Sequence, residues 1–133
     1  MSEINDNVKI LELRKALEHE ENLELAVLVG SRAEKRAHQD SDWDVAVQFS
    51  RNLSAFDRLS ATENIRRKLA GLIGVEEYLV DLIDIPNARL AMRSLIVDVG
   101  IPLKGENDLV WNHFLTRTWR ELEMYDWEKQ HET

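Results

Sequence analysis

Two aspartates one residue apart, Asp42 and Asp44, open a short apolar stretch that runs to Phe49. In an extended strand, residues two apart share a face and lie about 6 to 7 Å from each other along the backbone. Two carboxylates aimed at one point repel each other unless a cation lies between them. Mg²⁺ takes oxygen ligands, usually one or two carboxylates together with phosphate oxygens of a substrate. The pair therefore predicts a divalent metal site that works with a phosphate-bearing ligand.

A tight turn, Gly30 and Ser31, ends the apolar stretch that precedes this pair. Glycine lets the backbone pass close to a phosphate. Ser31 offers a hydroxyl and a backbone N–H at the start of a helical turn, where anions are favoured; the alternative is that it only caps that turn. Arg32 is a further candidate, because a guanidinium fork suits triphosphate oxygens, and a solvated arginine is its alternative.

A third acidic ligand is expected from a neighbouring strand, which we predict over residues 77–85. This strand contains Asp81 and Asp84, which period-two alternation places on opposite faces. Asp84 lies next to Pro86 at the strand end, where water is expected. Asp81 lies in the middle, where a buried carboxylate requires a cation or a hydrogen-bond donor. We predict Asp81 as the third ligand; the alternative is a buried aspartate satisfied by the backbone.

The elements that position these residues follow from hydrophobic periodicity and from turn residues. The predicted strands cover residues 23–29, 43–49, 77–85 and 101–104. The predicted helices cover residues 5–20, 55–73, 87–99 and 109–129. Ser54 and Asp108 are predicted helix caps. Helices packed on a mixed sheet of about four strands give an α/β or α+β fold, and the length predicts a single domain over residues 1–133.

Alternation along residues 43–49 places Asp42 and Asp44 on one face, and the side chains of Trp43, Val45, Val47 and Phe49 on the other. The strand over residues 23–29 is apolar on both faces, which predicts burial on both sides of the sheet. In the helix over residues 87–99, the predicted core positions are Leu90, Leu95, Ile96 and Val99.

Composition narrows the class of ligand and partner. The net charge of −8 opposes binding of nucleic acid as a general ligand and suits a basic protein partner. The chain has no cysteine, which excludes disulfides and thiolate metal sites. No segment approaches the roughly 18 apolar residues that a membrane span requires, and the N-terminus lacks a signal-peptide pattern. We expect a soluble, cytoplasmic protein without membrane contact.

The run of Gly30-Ser31, ten residues, and Asp42-x-Asp44 resembles the signature of the DNA polymerase β-type nucleotidyltransferase superfamily. The segment Ser41-Asp42-Trp43-Asp44 and the short length resemble its minimal nucleotidyltransferase (MNT) branch. The likeness covers about residues 23–104. The chain departs from the family at two points: residues 34–37 lack a glycine often present in this loop, and Trp43 replaces an aliphatic residue.

This resemblance implies the polymerase β-type fold, Mg²⁺, and transfer of AMP from ATP with release of pyrophosphate. It implies phosphate binding by Gly30 and Ser31 and metal binding by Asp42 and Asp44. It makes Asp81 the third carboxylate, which helps to deprotonate the acceptor hydroxyl. Many proteins of this branch are antitoxins in hetero-oligomers with a HEPN-domain RNase toxin, and the better understood ones adenylylate a tyrosine of that toxin.

The last predicted helix contains an aromatic series that includes Trp111, Trp119 and Trp127. Core packing is the ordinary explanation of such a series. Trp127 lies so near the helix end that a small domain would not cover it, which favours contact with a partner. Two other functions remain open from the residues: an antitoxin that acts only by occluding its toxin, and a nucleotidyltransferase whose acceptor is a small molecule such as an aminoglycoside.

Overall fold

The computed structural model describes the backbone of residues 2–132 and the side chains of residues 6–132. The helices are α1 (Ser2–Glu18), α2 (Gly30–Ala33), α3 (Ala55–Ile73), α4 (Leu90–Val99) and α5 (Leu109–Gln130). The strands are β1 (Leu23–Val29), β2 (Trp43–Phe49), β3 (Val80–Asp84) and β4 (Ile101–Lys104). Within these residues, no helix is long and apolar enough to cross a bilayer.

The four strands form one mixed sheet in the order β3-β2-β1-β4. Strand β1 pairs antiparallel with both β2 and β4, whereas β2 and β3 run parallel. Pro102 lies in β4, at the sheet edge, where its missing N–H leaves no gap in a central ladder. The predicted mixed sheet flanked by helices is confirmed.

Helices cover both faces of the sheet. One face of β2 packs against α1 and α3 through a cluster that includes Trp43, Val45, Leu17 and Leu69. The other face packs against α4 and α5 through a cluster that includes Val27, Ala46, Ile96 and Phe114. The central strand β1 supplies residues to both clusters, which confirms its predicted burial on both sides. Because side chains alternate along β2, Asp44 shares the face of Ala46.

The bounds of the third strand and of α4 differ from the sequence-based prediction, and α1 spans Ser2–Glu18 rather than the predicted residues 5–20. Residues Glu77–Leu79 form a 3-10 turn, so the third strand begins only at Val80. A second 3-10 turn, Ile85–Asn87, separates β3 from α4 and delays the start of that helix to Leu90. Pro86 lies at the beginning of this turn, where its fixed φ and missing N–H end the strand ladder.

The core prediction for α4 is correct at Ile96 and wrong at Leu95 and Val99, which are exposed. These two residues are four apart and therefore lie on one stripe of the helix, which faces solvent. At the helix caps, Ser54 accepts a hydrogen bond from the backbone N–H of Asp57 at 3.1 Å, as predicted. Asp108 occupies the cap position of α5, but its side chain makes no capping hydrogen bond.

Candidate active site

Strand pairing brings the predicted carboxylates together. Asp44 and Asp81 are register partners across the parallel pair of β2 and β3, where neighbouring strands lie about 4.8 Å apart. Asp42 immediately precedes β2. Burial raises the pKa of Asp44, and the negative charges of Asp81 and then Asp42 raise it further. The three carboxylates therefore lie close enough to repel one another.

The donor set suits a hard divalent cation that is shared with a substrate. Within residues 6–132, no three acidic or histidine side chains form a ready-made metal cage. Mg²⁺ does not require such a cage, because it commonly takes one or two protein carboxylates and completes its shell with phosphate oxygens and water. A cation between the carboxylates would also relieve the repulsion that raises the pKa of Asp44. The roles of Asp42, Asp44 and Asp81 as metal ligands stay predictions that this arrangement fits.

We expect Asp44→Asn to raise the stability of the metal-free protein at neutral pH. The raised pKa means that folding disfavours the charged carboxylate, so removal of the charge removes a destabilising interaction. Thermal melting in EDTA measures the effect, with Asp98→Asn as the control because Asp98 is an exposed aspartate of α4. Added Mg²⁺ should then raise the melting temperature of the wild type and not that of Asp44→Asn. A variant that is less stable than the wild type in EDTA would contradict this electrostatic account.

Asp81 is the second residue of β3 and is exposed, so its predicted position in the middle of a buried strand is wrong. An exposed carboxylate needs no buried donor, and the choice of Asp81 is supported instead by its register with Asp44. Asp84 lies at the other end of β3, where the side-chain amide of Asn87 donates a hydrogen bond to it. Asp84 is therefore not part of the carboxylate group.

Gly30 packs directly against the carboxylate of Asp44. Its φ of 74° lies in the left-handed region. A Cβ built on Gly30 would overlap Oδ2 of Asp44 and lie 3.2 Å from its Cγ. Only glycine therefore permits both this backbone conformation and the close approach of Asp44. Phosphate binding by Gly30 stays a prediction; the contact with Asp44 is a separate role that the motif does not indicate.

Ser31 is the second residue of the one-turn helix α2. Its backbone C=O accepts a hydrogen bond from the N–H of Arg36 at 2.9 Å. Among the described residues its hydroxyl has no hydrogen-bond partner, and the N-cap position of α2 is Val29. The alternative that Ser31 only caps this turn therefore lacks a supporting hydrogen bond, and its hydroxyl is available for the predicted contact with phosphate.

Arg32 is only 8% exposed, so the alternative of a solvated arginine is wrong. Its guanidinium lies 4.6 Å from the ring centroid of Trp43, whose side chain faces away from Asp44. It also donates hydrogen bonds to the carbonyl oxygens of Gln39 and Ser41, at 3.2 and 3.0 Å. Arg32 therefore lies apart from the carboxylate group, and these contacts hold the loop that leads into β2. Its predicted phosphate contact gains no support from this position.

Residues 34–37, which lack the glycine often present in this loop of the family, include a residue in the left-handed region. Lys35 has a φ of 58° and is the one non-glycine residue with positive φ among the described residues. A lysine in this conformation is strained, because its Cβ approaches the backbone more closely than in the right-handed region. Arg32 helps to hold this loop in its conformation. It donates hydrogen bonds to the loop and forms a 3.4 Å ion pair with Asp6 of α1.

We expect Arg32→Ala to lower the free energy of unfolding by about 2 to 4 kcal/mol, because it removes buried hydrogen bonds and a stacked guanidinium. Urea unfolding measures the loss. Arg36→Ala is the matched control, since Arg36 lies in the same loop and is exposed, and its side chain pairs, among the described residues, only with Glu34; its cost should stay below about 1 kcal/mol. Equal losses in the two variants would show that Arg32 does not stabilise the loop.

A cavity of about 430 Å³ adjoins Asp42 and Asp81. Three of the side chains that line it were not predicted as site residues: Glu63, Arg66 and Tyr78. Arg66 donates to the carbonyl of Val80 at 3.2 Å and pairs with Glu63 at 2.7 Å. No sequence motif marks these residues as part of a site. A charged helix face and a tyrosine in a turn are common surface features. Only the three-residue separation of Tyr78 from Asp81 hints at proximity to the site.

The Polymerase beta, Nucleotidyltransferase family matches residues 11–109. No curated protein sequence matches the chain. A chain of a toxin–antitoxin complex with AMP-PNP is 27% identical, with a TM-score of 0.62; the match covers 96% of this chain and 94% of that chain. A chain of the MntA–HepT toxin–antitoxin complex is 25% identical, with a TM-score of 0.56, over 96% and 92% of the two chains.

A third solved structure is a tri-AMPylated HEPN toxin from Shewanella oneidensis in complex with an MNT antitoxin. A chain of this complex is 25% identical, with a TM-score of 0.58, and the match covers 98% of this chain and 94% of that chain. The family match includes the whole carboxylate group and the turn at Gly30, and it spans well over half of the sequence. The chain therefore belongs to the polymerase beta nucleotidyltransferase family.

Proposed function

We propose that the chain is a Mg²⁺-dependent nucleotidyltransferase antitoxin, which transfers AMP from ATP to a tyrosine hydroxyl of a cognate HEPN-type RNase toxin. The observation that supports this most strongly is the pairing of Asp44 with Asp81 across β2 and β3, beside Asp42 and the Gly30 turn. The similar toxin–antitoxin complexes, one with AMP-PNP and one with a tri-AMPylated HEPN toxin, support the choice of nucleotide and of acceptor.

The reaction joins the acceptor oxygen to the α-phosphorus of ATP and breaks the bond to the pyrophosphate leaving group. Mg²⁺, when bound, neutralises charge that develops on the phosphates. Asp42 and Asp44 hold the cation, while Gly30 and Ser31 hold the triphosphate. Asp81 accepts the proton of the attacking hydroxyl. Its exposure suits this role, because an acceptor on a second protein must reach it from solvent.

The last helix offers a surface for that second protein. Phe114 of α5 is buried, but farther along the helix the aromatic side chains emerge into solvent. Trp119 and Trp127 are 51% and 57% exposed, and Met124 and Tyr125 are also half-exposed. Core packing therefore does not explain the distal half of this series. Exposed tryptophans and tyrosines are enriched at protein interfaces, and the net charge of −8 favours a basic partner over nucleic acid.

The same surface supports a second candidate function: an antitoxin that neutralises its toxin by occlusion alone. The two functions differ in what they require of the carboxylates. Occlusion needs the α5 surface and tolerates loss of Asp42 and Asp44, whereas catalysis requires both. A small-molecule acceptor, the third possibility from the sequence, would require neither the α5 surface nor a partner.

The test combines the purified chain, Mg²⁺, ATP labelled at the α-phosphate and the purified HEPN partner. We expect label on the partner, none in EDTA, and none after removal of the acceptor tyrosine. A parallel reaction offers aminoglycosides in place of the partner. A stable complex without label on either protein would overturn the catalytic proposal in favour of occlusion, and label on the small molecule alone would overturn the protein acceptor.

A further inference from the structure

A second cavity, of about 400 Å³, lies at the other end of the sheet from the carboxylates. Gln48 of β2 lines it, and Gln48 follows Asp44 by four residues, or about 13 Å along an extended strand. Its basic lining residues are Arg51 of the loop after β2, Arg58 of α3, and His113 and Arg117 of α5. Three separate segments of the chain thus bring cationic side chains to one cavity.

These cations make no ion pair with a carboxylate among the described residues, unlike six arginines elsewhere in the chain: Arg14, Arg32, Arg36, Arg66, Arg67 and Arg93. Among the described residues, the side chains of Arg51, His113 and Arg117 have neither a hydrogen bond nor an ion pair. Arg58 donates only to the carbonyl of Leu53, at 3.4 Å. The lining has one carboxylate, Asp84, which accepts a hydrogen bond from the neutral amide of Asn87 and keeps its negative charge. With three arginines against this one carboxylate, the lining carries a net positive charge although the whole chain has a net charge of −8.

Apolar side chains also line this cavity: the exposed Pro86, the half-buried Val110 and the buried Phe49, Ile85 and Phe114. Small-molecule sites have volumes of about 300 to 1,000 Å³ and combine an apolar surface with a few polar groups. An apolar surface beside several guanidinium groups fits a ligand with a flat organic body and a dianionic end. Guanidinium forks match phosphate oxygens in pairs, and several positive charges match a phosphate dianion better than a single carboxylate.

We propose that this cavity is a second ligand site, separate from the carboxylate group, which binds a small organic phosphate of the nucleoside monophosphate class. Nucleic acid fits less well, because a polyanion that extends beyond the cavity meets the repulsion of an acidic protein. The proposal does not depend on catalysis, since none of its cationic residues belongs to the candidate active site.

The test uses AMP as the probe, with binding measured by calorimetry in EDTA on the Asp42→Ala, Asp44→Ala variant, so that the carboxylate site is disabled. AMP should bind, and Arg117→Ala should weaken binding by about tenfold or more, because a charge-assisted hydrogen bond is lost. The matched control is Arg120→Ala, since Arg120 lies three residues along α5, is exposed and lies outside the cavity lining. It should bind AMP as the parent does.

Thermal melting confirms that each variant is folded, and Arg51→Ala replaces Arg117→Ala if the latter unfolds. Absence of AMP binding, or equal binding by the Arg117→Ala and Arg120→Ala proteins, would overturn the site. Adenosine binding as tightly as AMP would overturn the phosphate class. A single-stranded RNA that binds this site more tightly than AMP does, and so displaces it, would overturn the assignment to a small molecule.

Discussion

Replacement of both Asp42 and Asp44 by alanine is expected to reduce nucleotide transfer by about a thousandfold or more without unfolding the protein. The loss follows because a metal that neutralises phosphate charge contributes several kcal/mol to the transition state, and each 1.36 kcal/mol is a factor of about ten in rate. The fold should survive, because Asp42 is exposed and the charge of Asp44 is disfavoured by its surroundings.

The rate of label transfer to the partner measures this loss, and urea unfolding measures the stability. Asp98→Ala is the control, because it removes an exposed aspartate of α4 outside the site and should leave the rate unchanged. Transfer that persists at the wild-type rate in the double variant would contradict the assignment of the metal site, whatever the stability of the protein.

Replacement of Gly30 by alanine is expected to have the second large effect. Substitutions at two other glycines distinguish backbone strain from contact with Asp44. The new Cβ would overlap the carboxylate of Asp44, and the positive φ is unfavourable for alanine by about 1 to 2 kcal/mol. We expect Gly30→Ala to lower both the stability and the rate of transfer, because Asp44 must move. The rate loss should reach about a hundredfold, as for other displacements of about 1 Å at reacting groups.

Gly74 also has positive φ, at 84°, but outside its immediate chain neighbours no atom of the described residues lies within 4 Å of a Cβ built there. Gly74→Ala should therefore lower stability through backbone strain and leave transfer unchanged. Gly71 lies inside α3 with free space around it, so Gly71→Ala should raise stability by about 0.5 to 1 kcal/mol. A Gly30→Ala protein that is destabilised yet as active as the Gly74→Ala protein would show that contact with Asp44 does not position the carboxylate.

The centre of the sheet could be predicted from the sequence because its signal is local and repeated. Strands β1 and β2 begin and end at the predicted residues. In β2 the alternation of side chains between the two faces is unbroken from Trp43 onward, so Asp44 lies on one face and Trp43 on the other. The fold places Asp81 in register with Asp44, although its predicted burial was wrong, and its role as the third ligand stays a prediction. Register between parallel strands depends on tertiary contacts, which local periodicity does not encode.

The direction of Arg32 could not be predicted, because an arginine after a Gly-Ser turn can point to either face of the sheet. Its stacking partner Trp43 was assigned to the core, but nothing in the spacing indicates that a guanidinium lies on that ring. The basic cavity could not be predicted for a similar reason: Arg117 lies far along the chain from Arg51 and Arg58, and only the fold brings the three to one cavity. The exposure of Leu95 likewise depends on which stripe of α4 faces β1.

We propose that this chain modifies a partner protein through Asp42, Asp44 and Asp81. The most direct measurement is the intact mass of the HEPN partner after co-expression with the wild type, compared with the Asp42→Ala, Asp44→Ala variant. We predict a partner that is heavier by one or more AMP units only beside the wild type. A partner of unchanged mass that still co-purifies and is still neutralised would contradict the claim and establish occlusion instead.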